Sequence, residues 1–286
     1  MWSGEQVLDD RQLPRAAEDS HGHLDRTDLD RGLHGGVSAH PDPHSLTATL
    51  RTASLDHLRA RSHEVTESDL YAMGWNPVLS DGDLGGRTEA TLSSRQKAAT
   101  LGKTLSADIR GEQDKLRAAD TVVLQFPLWW YGMPAILKGW FDRVFTAGFA
   151  FWLKDPATGR VRKYGDGGLV GRRVLTVVAA GDRPESLGRR GMSGPLEDIL
   201  WPLLHGTAHY AGMEPLHPRL VASSDRVDDT SFAEERRRLL DRLDGLDSEE
   251  AIPFRTLASG DYDELGRLRD HLAPGQAGLD VHRRPA

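Results

Sequence analysis

Residues 119–145 read ADTVVLQFPLWWYGMPAILKGWFDRVF, and this stretch decides the fold. Thr121 to Phe126 is an apolar, β-branched run of strand length, suited to a strand covered on both faces. Pro127 has no N–H to give to a ladder, so the strand should stop there. Gly132 breaks the turn, and Pro134 stands where a first helical residue belongs, which predicts a helix over 134–145. The loop between, Leu128-Trp129-Trp130-Tyr131, lies at the carboxyl end of a buried strand, where open α/β sheets bind ligands. Three exposed rings at such a place need a flat partner, or they cost solubility. The alternative is that they plug a core or a dimer interface.

Outward from this stretch, helical and strand patterns alternate. Ser45 caps a predicted helix to Arg61 with Leu46, Leu50, Ala53 and Leu58 on one face. Glu64–Leu70 reads as a short strand, Gly74–Pro77 as a turn, residues 80–95 as loop and Ala107–Ala118 as a helix. Arg173–Ala179 is the next buried strand, 181–194 a loop, Pro195–Tyr210 a helix, Leu216–Ala222 a strand and Thr230–Leu246 a charged amphipathic helix. The alternation predicts an α/β class, a doubly wound parallel sheet with helices on both faces. Residues 1–36 carry eight acidic and four basic residues with few apolar ones and read as a disordered or mis-assigned tail. The main domain is expected over 37–225, with a C-terminal helix and irregular extension over 226–286.

Composition narrows the function classes. A chain of 286 residues with 38% apolar residues can bury one substantial core. A formal net charge of -7 argues against a nucleic-acid partner, and Arg236-Arg237-Arg238 sits among acidic residues as a solvated helix face. The absence of cysteine excludes disulfides, thiolate nucleophiles and thiolate metal sites. No apolar run is long enough to insert in a membrane, and the polar N-terminus is unlike a signal peptide, so a cytoplasmic location is expected. His205 and His209 stand four apart on a predicted helix, but no third ligand accompanies them and no metal site is assigned.

The stretch from Ala118 to Phe151 resembles the signature of the NAD(P)H:quinone oxidoreductase family, the DT-diaphorase-like flavoproteins of flavodoxin-like fold. The resemblance implies a noncovalent flavin, FAD in preference to FMN, with NAD(P)H as donor and a small-molecule acceptor such as a quinone. It also implies a two-electron ping-pong reaction in a homodimer. By that resemblance Phe126, Pro127, Leu128, Trp130 and Tyr131 hold the flavin ring, and Trp129 and Gly132 border the substrate pocket. Phe151 and Leu153 form an apolar pocket wall, and Asp142 lies near the partner subunit's cofactor. The segment Ser38–Thr47 is similar to the family's first phosphate loop, which assigns His40, His44, Ser45, Leu46 and Thr47 to the phosphates and ribityl chain. A helix N-terminus, with free N–H groups and partial positive charge, suits that task.

This chain departs from the family at three places. Only Leu33 and Val37 are apolar in Arg31–Val37, and two adjacent glycines should weaken the first strand. At the polar edge of the flavin, where the family has Thr-Thr-Gly-Gly, this chain keeps Gly181 but offers Ala179, Ala180 and Asp182, and the resemblance assigns Ala179, Ala180 and Gly181 to the cofactor. Leu187 and Ser193 stand where other members have the Tyr and His that help stabilise the reduced flavin, so no catalytic side chain is assigned. These losses leave open a non-enzymatic flavoprotein, such as a regulatory partner of a potassium-efflux system, or a degenerate member with a weakened cofactor site.

Overall fold

The computed structural model describes residues 32–285. In chain order the elements are β1 (Leu33–Ser38), α1 (Leu46–Ala60), β2 (Glu64–Asp69), α2 (Leu92–Leu101), α3 (Ala107–Ala118), β3 (Thr121–Pro127) and α4 (Ala135–Val144). There follow β4 (Leu153–Lys154), β5 (Val161–Arg162), β6 (Arg173–Ala179), α5 (Leu196–Ile199), α6 (Trp201–Leu203), β7 (Glu214–Pro215), β8 (Arg219–Val221) and α7 (Asp229–Leu243). The main sheet runs β2-β1-β3-β6, with β7 and then β8 pairing along the outer edge of β6, and every pairing in it is parallel. This is the flavodoxin-like order, and its switch point lies between β1 and β3.

The pleat of β3 divides the core. Val122, Leu124 and Phe126 face a layer built by α3, α4 and the 196–208 helices, through Ile109, Leu116, Leu137, Trp140 and Leu204. Val123 faces the other layer, where Leu50 and Leu58 of α1 meet Leu239 and Leu243 of α7. Beyond α7 the chain returns to the first layer, where Ile252 and Phe254 are buried.

The first strand corrects the expectation of weakness. Leu33–Ser38 pairs in register with Glu64–Asp69 on one side, and His34–Ser38 with Thr121–Gln125 on the other. Its glycines lie in ordinary packing on both faces of the sheet. A Cβ on Gly35 would lie 3.4 Å from the Ala119 Cβ on one face, and one on Gly36 would lie 3.4 Å from Leu55 Cδ2 on the other. The expected tail over 1–36 lies, for residues 1–31, outside the described residues, whereas Leu33–Gly36 belong to this central strand.

Other boundaries shift for local reasons. The stretch expected as loop over 80–95 holds a 3-10 turn at Asp81–Leu84 and the start of α2, which Thr91 caps by accepting from the Ser94 amide. Of the α2 side chains only Gln96 and Ala99 are buried, so no apolar period announced it. The helix expected over 195–210 is broken at Leu200, where ψ is 7°, and continues after Pro202 as a wide π-type turn over Leu204–His209. The glycine-rich run after Gly165 is a close-packed crossing: a Cβ on Gly168 would sit 1.6 Å from the Phe149 carbonyl oxygen.

Candidate functional site

Three strand ends meet at the carboxyl edge of the sheet. The Ala39 amide, just past β1, donates to the Gln125 carbonyl at 3.0 Å, and the Leu128 amide, just past β3, donates to Ala179 at 2.8 Å. The Ala180 amide, past β6, donates to Val221 at 3.0 Å. Pro127 is the last residue of β3, opposite Ala179, as expected of a residue that cannot extend a ladder.

The β1 end leads into the phosphate-loop segment. The Asp42 amide donates to His40 Nδ1 (3.1 Å), Asp42 Oδ1 accepts from the His44 amide (2.8 Å), and the Asp42 carbonyl accepts from the Ser45 amide (3.2 Å). These bonds fold the loop onto the start of α1. Ser45 caps the helix, its Oγ accepting from the Ala48 amide at 3.2 Å. The amides of Leu46 and Thr47 are first-turn donors with no acceptor inside the helix. Thr47 is buried, and no acidic residue occupies the first turn, so the partial positive charge there is not neutralised by the helix itself. Gln125, in register with Ser38 on the α1 face of the sheet, holds a buried amide nitrogen that lacks a partner.

The β3 end carries the rings. Trp129 and Gly132 exchange two 3.0 Å backbone bonds, closing a two-residue turn over Trp130 and Tyr131. Both central residues are left-handed, with φ of 51° and 58°. Such a turn normally takes Asn or Gly, and a side chain held there costs on the order of 1–3 kcal/mol. The turn holds Trp130 99% exposed and leaves Trp129 and Tyr131 exposed as well. Trp129 lies 6.0 Å from the His40 ring, which joins the aromatic turn to the phosphate loop.

The β6 end leads through Ala180 and the exposed Gly181 into a 3-10 turn, Pro184–Leu187. Leu187 is buried. Ser193, on the following loop, lies with its Oγ 3.1 Å from the Tyr131 hydroxyl. That contact spans from the β6 loop to the β3 turn.

The structure therefore brings together His40, His44, Ser45, Leu46, Thr47, Leu128, Trp129, Trp130, Tyr131, Gly132, Ala180 and Gly181. Phe126 and Ala179 are buried in the sheet and Ala180 is buried just past it, so their side chains are not offered to the crevice. The ties between the strand ends do not extend to Asp142, Phe151 or Leu153. Asp142 is exposed seven residues into α4, about 10 Å along its axis, and pairs with Lys138 at 2.5 Å. Phe151 packs against the core and Leu153 abuts the Gly168 crossing. Sequence reasoning saw Ser193 only as a lost histidine; its bond to a tyrosine on another loop carried no sequence signal.

The histidines spaced four apart belong elsewhere. His205 stacks on Trp201 (4.3 Å between centroids) and on Tyr164 (5.0 Å), and His209 Nε2 lies 3.2 Å from the Arg255 carbonyl oxygen. Burial, together with the nearby His209, His282 and Arg283, pushes His205 down to about 3. The unfolded chain, with an ordinary histidine, binds the proton that the fold rejects. Stability should thus be full above about pH 6.5 and fall as the pH drops toward 3, by about 1 kcal/mol per pH unit from this group. Urea midpoints at neutral pH and at pH about 5 check this. His205→Phe should shrink the difference between them; an unchanged difference would count against the assignment.

A family model described as flavodoxin-like fold matches residues 36–243. The chain is 38% identical over 257 residues to a ribosyldihydronicotinamide dehydrogenase-like protein of Penicillium crustosum, covering 87% of this chain and 94% of that one. It is 36% identical over 229 residues to the human ribosyldihydronicotinamide dehydrogenase [quinone], covering 76% and 93%. A Klebsiella pneumoniae crystal structure assigned as a quinone reductase superposes with a TM-score of 0.85 at 42% identity, covering 88% of this chain and all of the other.

Proposed function

The chain belongs to the flavodoxin-like-fold family and is an oxidoreductase, and from that premise we propose that it is a flavin-dependent NAD(P)H dehydrogenase of quinones, with FAD in the crevice between the ends of β1, β3 and β6. The observation that carries this reading is the strained Trp130-Tyr131 turn. It keeps Trp130 wholly in solvent next to Trp129, whose ring lies 6.0 Å from His40 in the loop that leads to the α1 N-terminus, an arrangement that favours neither stability nor solubility. A flat aromatic ligand with a pyrophosphate tail uses both features.

The residues fit that ligand. The Leu46 and Thr47 amides and the α1 dipole suit a pyrophosphate, and the unpaired Gln125 amide lies on the same sheet face. Trp130 offers a face to the ring, while the Tyr131 hydroxyl and the backbone at Ala180 and Gly181 border its polar edge. Leu128 and Trp129 form an apolar mouth that excludes water and accepts a flat, hydrophobic oxidant. A bound flavin would supply the two-electron carrier between a nicotinamide donor and a quinone. Because donor and acceptor use one face, the kinetics are expected to be ping-pong. A homodimer in which Phe151, Leu153 and Asp142 complete the pocket of the partner is part of this proposal. The related proteins' names carry two donors, NAD(P)H and ribosyldihydronicotinamide; saturation kinetics with each, quinone fixed, decide between them here.

Trp130→Gly separates this function from folding. Glycine relieves the left-handed strain, so the variant should be more stable by about 1 kcal/mol. Loss of the ring should raise the flavin Kd roughly tenfold, from stacking and buried area. Urea melts and flavin fluorescence quenching measure the two effects. A variant that binds flavin as the parent does would remove Trp130 from the site.

A further inference from the structure

Tyr131 and Ser193 form the one side-chain hydrogen bond described here between the β3 turn and the β6 loop. Energetics argue against a purely structural role. An exposed hydroxyl pair contributes about 0.5–1.5 kcal/mol, less than or comparable to the strain of the left-handed turn it holds. Its two ends are also unequal. The Ser193 loop is pinned: the Ser193 amide donates to the Ser186 carbonyl at 3.1 Å, and a Cβ on Gly191 would come within 2.1 Å of that same oxygen. Leu187 anchors the preceding turn in the core. Tyr131, by contrast, stands half-exposed at the tip of a turn. Ser193 is the fixed post and Tyr131 the group it holds.

The pair has two O–H donors and uses one of them between its own oxygens, so one O–H is left for a third group. The neighbouring Leu187 offers no polar atom. Resting on the flavin reading above, we propose that Ser193 is a positioning residue that aims the Tyr131 hydroxyl. The clasp donates a hydrogen bond to the edge of the bound flavin ring that gains negative charge on reduction. A donor held in place before the charge develops stabilises the reduced form more than the oxidised one. In this chain the donor thus comes from the β3 turn, with the serine as its support.

The test is the midpoint potential of the bound flavin in Tyr131→Phe, Ser193→Ala and Ser193→Thr, together with the Kd of the oxidised flavin. Tyr131→Phe keeps the ring, so oxidised flavin should bind within about twofold of the parent. Its preference for the reduced form should fall by roughly tenfold, a drop of about 30 mV for a two-electron couple. Ser193→Ala should shift the potential in the same direction by less, and Ser193→Thr, which keeps the hydroxyl, should restore it. An unmoved potential in both Tyr131→Phe and Ser193→Ala would overturn the proposal. So would an equal loss of affinity for both redox forms, which means packing alone. A parent protein that holds no flavin would overturn both this inference and the function it rests on, so the two failures are distinguishable.

Discussion

Arg143→Met is expected to destabilise the fold by about 3–5 kcal/mol, because it breaks a buried ion pair from one side. Arg143 lies near the end of α4, buried where the neighbouring charges Lys138 and Asp142 are exposed. Its guanidinium donates to Asp83 Oδ1 at 2.6 Å and Oδ2 at 3.3 Å, to the Asn76 carbonyl at 3.0 Å, and pairs with Asp108 at 2.7 Å. It also lies over the Trp75 ring at 4.4 Å. Arg143 and Asp83 are both buried, so methionine strands a carboxylate out of water. Burial pushes the Asp83 carboxyl up, but the hydrogen bonds from Arg143 and the Ser80 amide outweigh it and hold the group below its ordinary value. A carboxyl lowered in the fold stabilises above the unfolded value near 4, and that contribution is lost as pH falls through the folded value. The Arg143→Met deficit should therefore be full at neutral pH and shrink below about pH 4. Urea midpoints at both ends of that range measure it; a deficit under about 1 kcal/mol at neutral pH would contradict the account.

Gly139→Ala should be comparably severe, although it adds one methyl group. Gly139 is buried in α4, and a Cβ there would lie 2.2 Å from the Pro77 carbonyl oxygen and 2.4 Å from its Cα. The obstacle is backbone, which cannot rotate away, so the helix must move. The expected cost is about 3 kcal/mol or more. Because α4 begins three residues after the aromatic turn, flavin affinity should fall with it. Gly111→Ala in α3 is the matched control. Nothing lies within 4 Å of its Cβ, so the gain in helix propensity should stabilise by about 0.5–1 kcal/mol. Opposite signs for one chemical change would show that the signature glycine is a contact surface. If both substitutions were neutral, α4 would not pack on the 75–77 turn as described.

The parts of the fold legible in the sequence were those that bury apolar side chains in a regular period. Thr121–Phe126 and Arg173–Ala179 announced the two central strands, and Pro134 announced α4, because hydrophobic runs and proline act locally. The first strand was illegible for the opposite reason. Gly35 and Gly36 bring no apolar side chain to the pattern, and the strand is held by backbone pairing with β2 and β3, which leaves no local trace. Helix α2 rests on the Thr91 cap and two small buried contacts, which leave no period to read. In the site, the aromatic turn and the phosphate loop were legible as segments, since each is contiguous. Their meeting through His40 and Trp129, and the bond between Tyr131 and Ser193, 62 positions apart, depend on sheet order and had no local trace. Arg143 gave no sequence signal, since Lys138 and Asp142 share its helix, and its partners Asp83 and Asp108 lie in segments that read as loop and helix start.

The proposed function requires that the crevice at the ends of β1, β3 and β6 carry a flavin that passes electrons from a nicotinamide donor to a quinone. The most direct measurement is the visible spectrum of the protein after incubation with FAD and desalting, followed without oxygen through addition of NAD(P)H and then of a quinone. Retained flavin bands that bleach with the donor and return with the quinone are the predicted result. A colourless protein, or retained bands that no nicotinamide donor bleaches, would contradict it, and the second of these would turn attention to a regulatory flavoprotein.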